Sequence, residues 1–310
     1  MSKFAIVFAG QGSQSVGLMS GFADMPVVQQ TFEEASDILK LNLWKKIVEG
    51  PPEVQNLTVN TQPLMLTAGV ATWRAWLQRG GRVGAYFAGH SLGEYTALVA
   101  AGALSFADAL PLVRFRAQSM QDAVPEGIGA IAAVLGLDAT QIHAVCAEAA
   151  QGEVLEAVNL NSPGQIVIAG HKAAVERGMS LARERGAKRA ILLPMSVPAH
   201  CALMKPASEK LAAYLKGVVC AVPGTPVIQN APVAAFGSVE EIKSALFQQL
   251  FHPVRWMETI EYFAAHGVDK VIECVPGKIL TGLNKRIDSR LSCLAVLDTA
   301  SLDAAIAATS

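Results

Sequence analysis

Residues 84–101 read Gly84-Ala85-Tyr86-Phe87-Ala88-Gly89-His90-Ser91-Leu92-Gly93-Glu94-Tyr95-Thr96-Ala97-Leu98-Val99-Ala100-Ala101. The short apolar run 84–88, after Gly80-Gly81, predicts a strand buried on both faces, and 94–101 continues as a small-residue helix. Between them stands G-x-S-x-G. At a strand-to-helix turn this pattern presents a serine on tightly bent backbone, where only small residues fit two positions to either side. Gly89 and Gly93 meet that need. The helix dipole and the Leu92 amide then favour negative charge developing beside Ser91. Taken alone, the pattern also describes an idle serine in a glycine-rich turn; the strand-turn-helix context favours a nucleophile.

Upstream, 4–9 predicts a first strand that runs into Gly10-Gln11-Gly12-Ser13-Gln14. Helices are expected over 27–39 and 61–76, on either side of the Gly50-Pro51-Pro52 break. Ser105 and Asp108 suggest a capping box for the helix carrying Arg114 and Arg116, with a kink at Pro111. From 127 the rhythm becomes strand 130–135, helix 140–150, strands 156–160 and 165–169, helix 173–185 and strand 189–193. That β-α-β-β-α-β order predicts a ferredoxin-like unit inserted into a larger domain. Helix 202–215, strand 227–229, helices 239–250 and 256–266, strand 270–273 and a Pro276-Gly277 turn follow. The fold class is α/β: a hydrolase-like core with a parallel sheet over 1–126 and 196–310, plus a ferredoxin-like subdomain over 127–195. The cleft between the two is the expected site.

The chain has 310 residues, 52% apolar and 16% charged, below the roughly 25% charged of ordinary soluble domains. Disorder, collagen and miniprotein scaffolds are excluded. Its net charge is −1, without long like-charged blocks, so neither nucleic acid nor a membrane surface is the expected partner. The run 95–107 falls short of the ~18 residues of a membrane span, and the N-terminal apolar run is too short for a signal peptide. Five scattered cysteines, never C-x-x-C, argue against a disulfide framework and a structural zinc site. A reducing cytoplasm fits best.

A serine nucleophile needs a base. His90 shares the tight turn and can hardly swing onto the hydroxyl, while His143, His171 and His266 lie on or beside polar helical segments. His252 and His200 remain, the latter in Ser196-Val197-Pro198-Ala199-His200-Cys201; composition does not choose between a catalytic role and a packing role for His200. The loop 10–14 lacks the third glycine of G-x-G-x-x-G and a following acidic strand end, so cofactor binding is rejected. It can instead supply an oxyanion-hole amide. Arg114 and Arg116 flank an apolar stripe, and either can edge into a cleft to clamp a carboxylate or remain on the surface.

Together and in this order, the motifs resemble the malonyl-CoA:acyl-carrier-protein transacylases of fatty acid synthesis along nearly the whole chain. They are Gly10–Gln14, Thr61-Gln62-Pro63, Gly89–Tyr95, Arg116 ahead of Met120-Gln121, Asn161-Ser162-Pro163-Gly164-Gln165, Ser196–His200, Gln249-Leu250 and Pro276-Gly277-Lys278. The resemblance implies Ser91 as nucleophile, His200 as base and the Gln249 main-chain carbonyl as the group orienting His200. It further implies the amides of Gln11 and Leu92 as oxyanion hole, Arg116 as the clamp on the malonyl carboxylate, and Gln62 and Asn161 as cleft residues. Malonyl-CoA and acyl carrier protein are the implied partners. No cofactor or metal is implied, and nothing demands more than a monomer.

Ala9, Val275 and Pro111 depart from the usual family pattern without removing a catalytic group. An esterase or thioesterase shares G-x-S-x-G, but Arg116 and the lack of an H-G-G-G motif disfavour it; a transacylase of a polyketide line remains open. A docking protein without activity is a third, weaker reading. Because acyl carrier proteins are acidic, Arg183, Arg185, Lys188 and Arg189, or Lys278, Lys285, Arg286 and Arg290, are candidate docking patches.

Overall fold

The computed structural model describes residues 3–195 and 197–310. Ser196, which opens the motif ending at His200, lies outside them with Met1 and Ser2. In chain order the strands are β1 (Phe4–Phe8), β2 (Tyr86–Gly89), β3 (Gly129–Leu135), β4 (Leu155–Ser162), β5 (Gln165–His171), β6 (Arg189–Leu192), β7 (Val227–Ile228), β8 (Lys270–Glu273) and β9 (Ser292–Ala295). They form two sheets, a parallel one ordered β7-β2-β1-β8-β9 and an antiparallel one ordered β4-β5-β3-β6.

All five residues of β1 are buried, as expected of a central parallel strand covered on both faces, which shows no alternation. The chain leaves β1 for β2 and β7 on one side, then returns to β8 and β9 on the other. The carboxyl end of β1 therefore lies at the switch point, where open parallel sheets bind ligands.

The helix Thr58–Gln78 is buried almost all round and packs beside the helix Phe106–Ala123, so tertiary burial rather than amphipathicity holds it. Phe106–Ala123 runs as one helix through Pro111, the position where a kink is expected. Residues before and after the proline, among them Ala109, Leu110, Leu112 and Val113, are buried, and their packing carries the helix across the lost hydrogen bond. Half of the expected capping box forms. The Ser105 hydroxyl accepts from the Asp108 N–H at 3.0 Å, but the short Asp108 carboxylate turns to that hydroxyl, at 2.6 Å.

The helices Leu43–Glu49, Pro52–Asn56, Ile279–Ile287 and Thr299–Thr309, and strand β9, were not anticipated. Most are short, and a single turn or two gives little periodicity to read. Among the described residues no helix is long and apolar enough to cross a membrane.

Candidate active site

Parallel pairing puts the carboxyl ends of β1, β2 and β7 side by side, and each delivers one part of a site. At the end of β2, Ser91 stands in a left-handed conformation, φ 52°, which for a non-glycine residue costs about 1–3 kcal/mol and persists only when its surroundings enforce it. They do so here by close packing. A Cβ on Gly93 would stand 2.0 Å from the Phe8 carbonyl oxygen, and one on Gly89 would stand 1.9 Å from the Gly93 carbonyl.

The Ser91 hydroxyl lies 2.8 Å from Nε2 of His200. His200 is 3% exposed, also left-handed at φ 69°, and its N–H donates to the Leu250 carbonyl at 2.9 Å. Its Nδ1 is 2.7 Å from the Gln249 carbonyl oxygen. A carbonyl only accepts, so the proton sits on Nδ1 and the Nε2 lone pair faces the serine. Gln249 is the last residue of the helix Val239–Gln249, where carbonyls lack intrahelical partners. Burial, and next the positive charge of Arg116, push the His200 pKa down to about 3, which keeps the imidazole neutral and able to take a proton.

Arg116 is 1% exposed. It donates to Gln62 Oε1 at 2.8 Å and Gln249 Oε1 at 2.9 Å, and its Nη2 comes within 3.4 Å of the Ser91 hydroxyl. Its guanidinium also lies over the Tyr95 ring, 5.4 Å from the centroid. Among the described residues it forms no ion pair, and its Nε has no hydrogen-bond partner. Arg114, two residues earlier and hence on the opposite face of the helix, is exposed and donates to the Leu39 carbonyl. Arg116 alone of the two enters the cleft.

The loop after β1 presses on the serine turn: a Cβ on Gly10 would stand 2.3 Å from the His90 carbonyl oxygen and 3.3 Å from the Leu92 nitrogen. Gln11 and Leu92 both line the cleft. Their main-chain N–H groups have no acceptor among the described residues. Asn161 Oδ1 is 2.8 Å from His90 Nε2, and the His90 ring lies beside Trp256. Among the described residues the His90 ring has its hydrogen bond with Asn161, and the Ser91 hydroxyl has its own with His200. The cleft, about 240 Å³, is also lined by Ile131 of β3 and Val167 of β5.

Sequence reading passed over Asn230, just beyond β7. Its Oδ1 accepts from the Ser91 N–H and its Nδ2 donates to the Gly89 carbonyl, each at 2.7 Å, while its own N–H donates to Glu94 Oε2 at 2.7 Å. The side chain of Gln249 was also passed over; besides holding Arg116 it donates to the Ser91 carbonyl at 2.9 Å.

The acyl transferase domain family matches residues 5–288. The malonyl CoA-acyl carrier protein transacylase of Salmonella typhimurium is 51% identical over 307 residues, 99% of each chain. The chain belongs to this transacylase family. Among solved members, the acyl-carrier-protein S-malonyltransferase of Burkholderia pseudomallei 1710b is 56% identical, with a TM-score of 0.97 over 98% of this chain and 99% of that one. A malonyl-transacylase solved in complex with its type II PKS acyl-carrier protein is 51% identical, with a TM-score of 0.98 over 99% of this chain and all of that one.

Proposed function

We propose that the protein transfers malonyl from malonyl-CoA to the phosphopantetheine thiol of acyl carrier protein through an ester on Ser91. The observation that carries this reading is the buried Arg116 guanidinium beside the Ser91 hydroxyl. A plain ester needs no cation there, whereas an acyl group ending in a carboxylate one methylene from its thioester does.

In the first half-reaction His200 Nε2 takes the Ser91 proton as the oxygen attacks the thioester carbon, and the N–H groups of Gln11 and Leu92 receive the oxyanion. Collapse breaks the carbon–sulfur bond, and the imidazolium returns the proton to the CoA thiolate. In the second half the carrier thiol gives its proton to His200 and attacks the ester, and Ser91 leaves with that proton. Gln249 orients His200 through its main chain. Gln62 and Gln249 aim Arg116, and Asn161 shapes the cleft wall through His90. The chemistry calls for no resident cofactor or metal, and one chain holds every group it uses.

Residues 127–195 are read as a ferredoxin-like insertion into a hydrolase-like core formed by 1–126 and 196–310, a reading supported by the β-α-β-β-α-β element order and the two sheets. The five cysteines are unpaired, in keeping with the cytoplasm. For the carrier, the cluster near the C-terminus is favoured: Arg286 donates to Gln165 Oε1 at 2.6 Å, and Gln165 lines the cleft.

The test supplies malonyl-CoA and carrier together and compares malonyl transferred with malonate released. Transfer exceeding release by at least tenfold is expected. Release dominating with carrier present indicates a hydrolase instead.

A further inference from the structure

Strand β7 pairs with β2 only through Val227 and Ile228, opposite Phe87 and Ala88. Beyond Ile228 the chain turns away, with the Gln229 N–H donating to the Ala234 carbonyl and the Val233 N–H to that of Gln229. The sheet ladder therefore stops one residue short of the serine turn. The Gly89 carbonyl and the Ser91 N–H at that turn are satisfied by a side chain, since Asn230 accepts from one and donates to the other, each at 2.7 Å. An amide is the side chain that can do both at once, having an acceptor and a donor on one planar group. Asn230 is 1% exposed and Glu94 fully buried. The bond from the Asn230 N–H to Glu94 Oε2 fixes Asn230 from behind, and Glu94 belongs to the helix that begins at Gly93.

Resting on the function proposed above, we infer that Asn230 is a positioning residue for Ser91: its carboxamide extends the β2–β7 ladder by one rung, and Glu94 holds that rung in register. The rung sets the direction of the serine hydroxyl toward His200. It has no direct bond to Arg116, which is held by Gln62 and Gln249 at 2.8 and 2.9 Å and meets Ser91 only through the longer 3.4 Å contact of Nη2 with the hydroxyl. Its loss should slow acylation and leave the grip on the malonyl carboxylate largely intact, and misplacement of a reacting group by about 1 Å costs on the order of 100-fold.

The experiment measures the rate of malonyl-Ser91 formation and the KM for malonyl-CoA in Asn230→Ala, Asn230→Leu and the unsubstituted protein. Leu has the shape of Asn but neither accepts from the Ser91 N–H nor donates to the Gly89 carbonyl. Both variants should acylate about 100-fold more slowly with KM changed less than about threefold. If Asn230→Leu acylates at the unsubstituted rate, Asn230 serves only to fill space and the inference is overturned. A rise in KM matching the fall in rate overturns it as well. If either variant does not fold, Glu94→Gln and Glu94→Met decide: Gln keeps an acceptor for the Asn230 N–H and should acylate about ten times faster than Met, and equal rates overturn the role. Absence of the ester in the unsubstituted protein defeats the proposed function itself, a result separate from equal rates among variants that do form the ester.

Discussion

His200 is fixed by a helix end: its Nδ1 lies 2.7 Å from the main-chain carbonyl oxygen of Gln249. A neutral peptide carbonyl in the place of a carboxylate orients the ring without adding a full negative charge, so its hydrogen bond offsets only part of the burial and the Arg116 charge that lower the imidazole pKa to about 3. A lowered pKa means that protons compete for Nε2 only in more acidic solution. The acid limb of kcat/KM for malonyl-CoA, which reports the free enzyme, should therefore lie well below the ordinary histidine value near 6.5. In Arg116→Ala it should move to higher pH, because a charge that disfavours imidazolium is gone. A limb near 6.5 that Arg116→Ala leaves in place contradicts this.

Arg116 also separates substrates. Its hydrogen bonds to neutral amides leave the charge available for a carboxylate, and a hydrogen bond to a charged group contributes roughly 1.5–3 kcal/mol. Arg116→Ala should lower kcat/KM for malonyl-CoA by about 10- to 100-fold and leave acetyl-CoA little affected, narrowing the gap between them. Equal losses for both substrates would remove the clamp role.

Glu94 carries a stability signature. Burial is the main cause raising its carboxyl pKa from 4.5 to about 7, so between those values the folded protein holds a proton that the unfolded chain releases. Stability then falls as pH rises from 4.5 through about 7, by up to about 3 kcal/mol. Glu94→Gln removes the titration while keeping an acceptor for the Asn230 N–H. Its melting temperature relative to the unsubstituted protein should be higher at pH 8 than at pH 5; a difference independent of pH contradicts the argument.

The serine turn tolerates no side chain at Gly93, where a Cβ would meet the Phe8 carbonyl oxygen at 2.0 Å. Gly93→Ala should destabilise the fold by roughly 3 kcal/mol or more, since β1 or the turn must shift. Gly237→Ala, where no atom lies within 4 Å of the added methyl, is the matched control and should be close to neutral in the same thermal melts.

The sequence made parts of this site legible for physical reasons. The strand, the G-x-S-x-G turn and the helix after it are local, and their steric demands appear as two glycines around one serine. His200 and Gln249 are 49 residues apart, and only resemblance joined them. Asn230 left no local signal: it works by substituting for a strand that ends early, and strand ends are set by neighbours rather than by propensity. The helix through Pro111 was legible as one element from its Ser105 cap, and buried residues on both sides of the proline carry it.

The most direct test mixes the protein with malonyl-CoA, without carrier, and follows intact and peptide mass. One malonyl group on the Ser91 peptide, absent in Ser91→Ala, is the predicted result. Malonate released without any adduct, or an adduct that survives Ser91→Ala, would contradict the account.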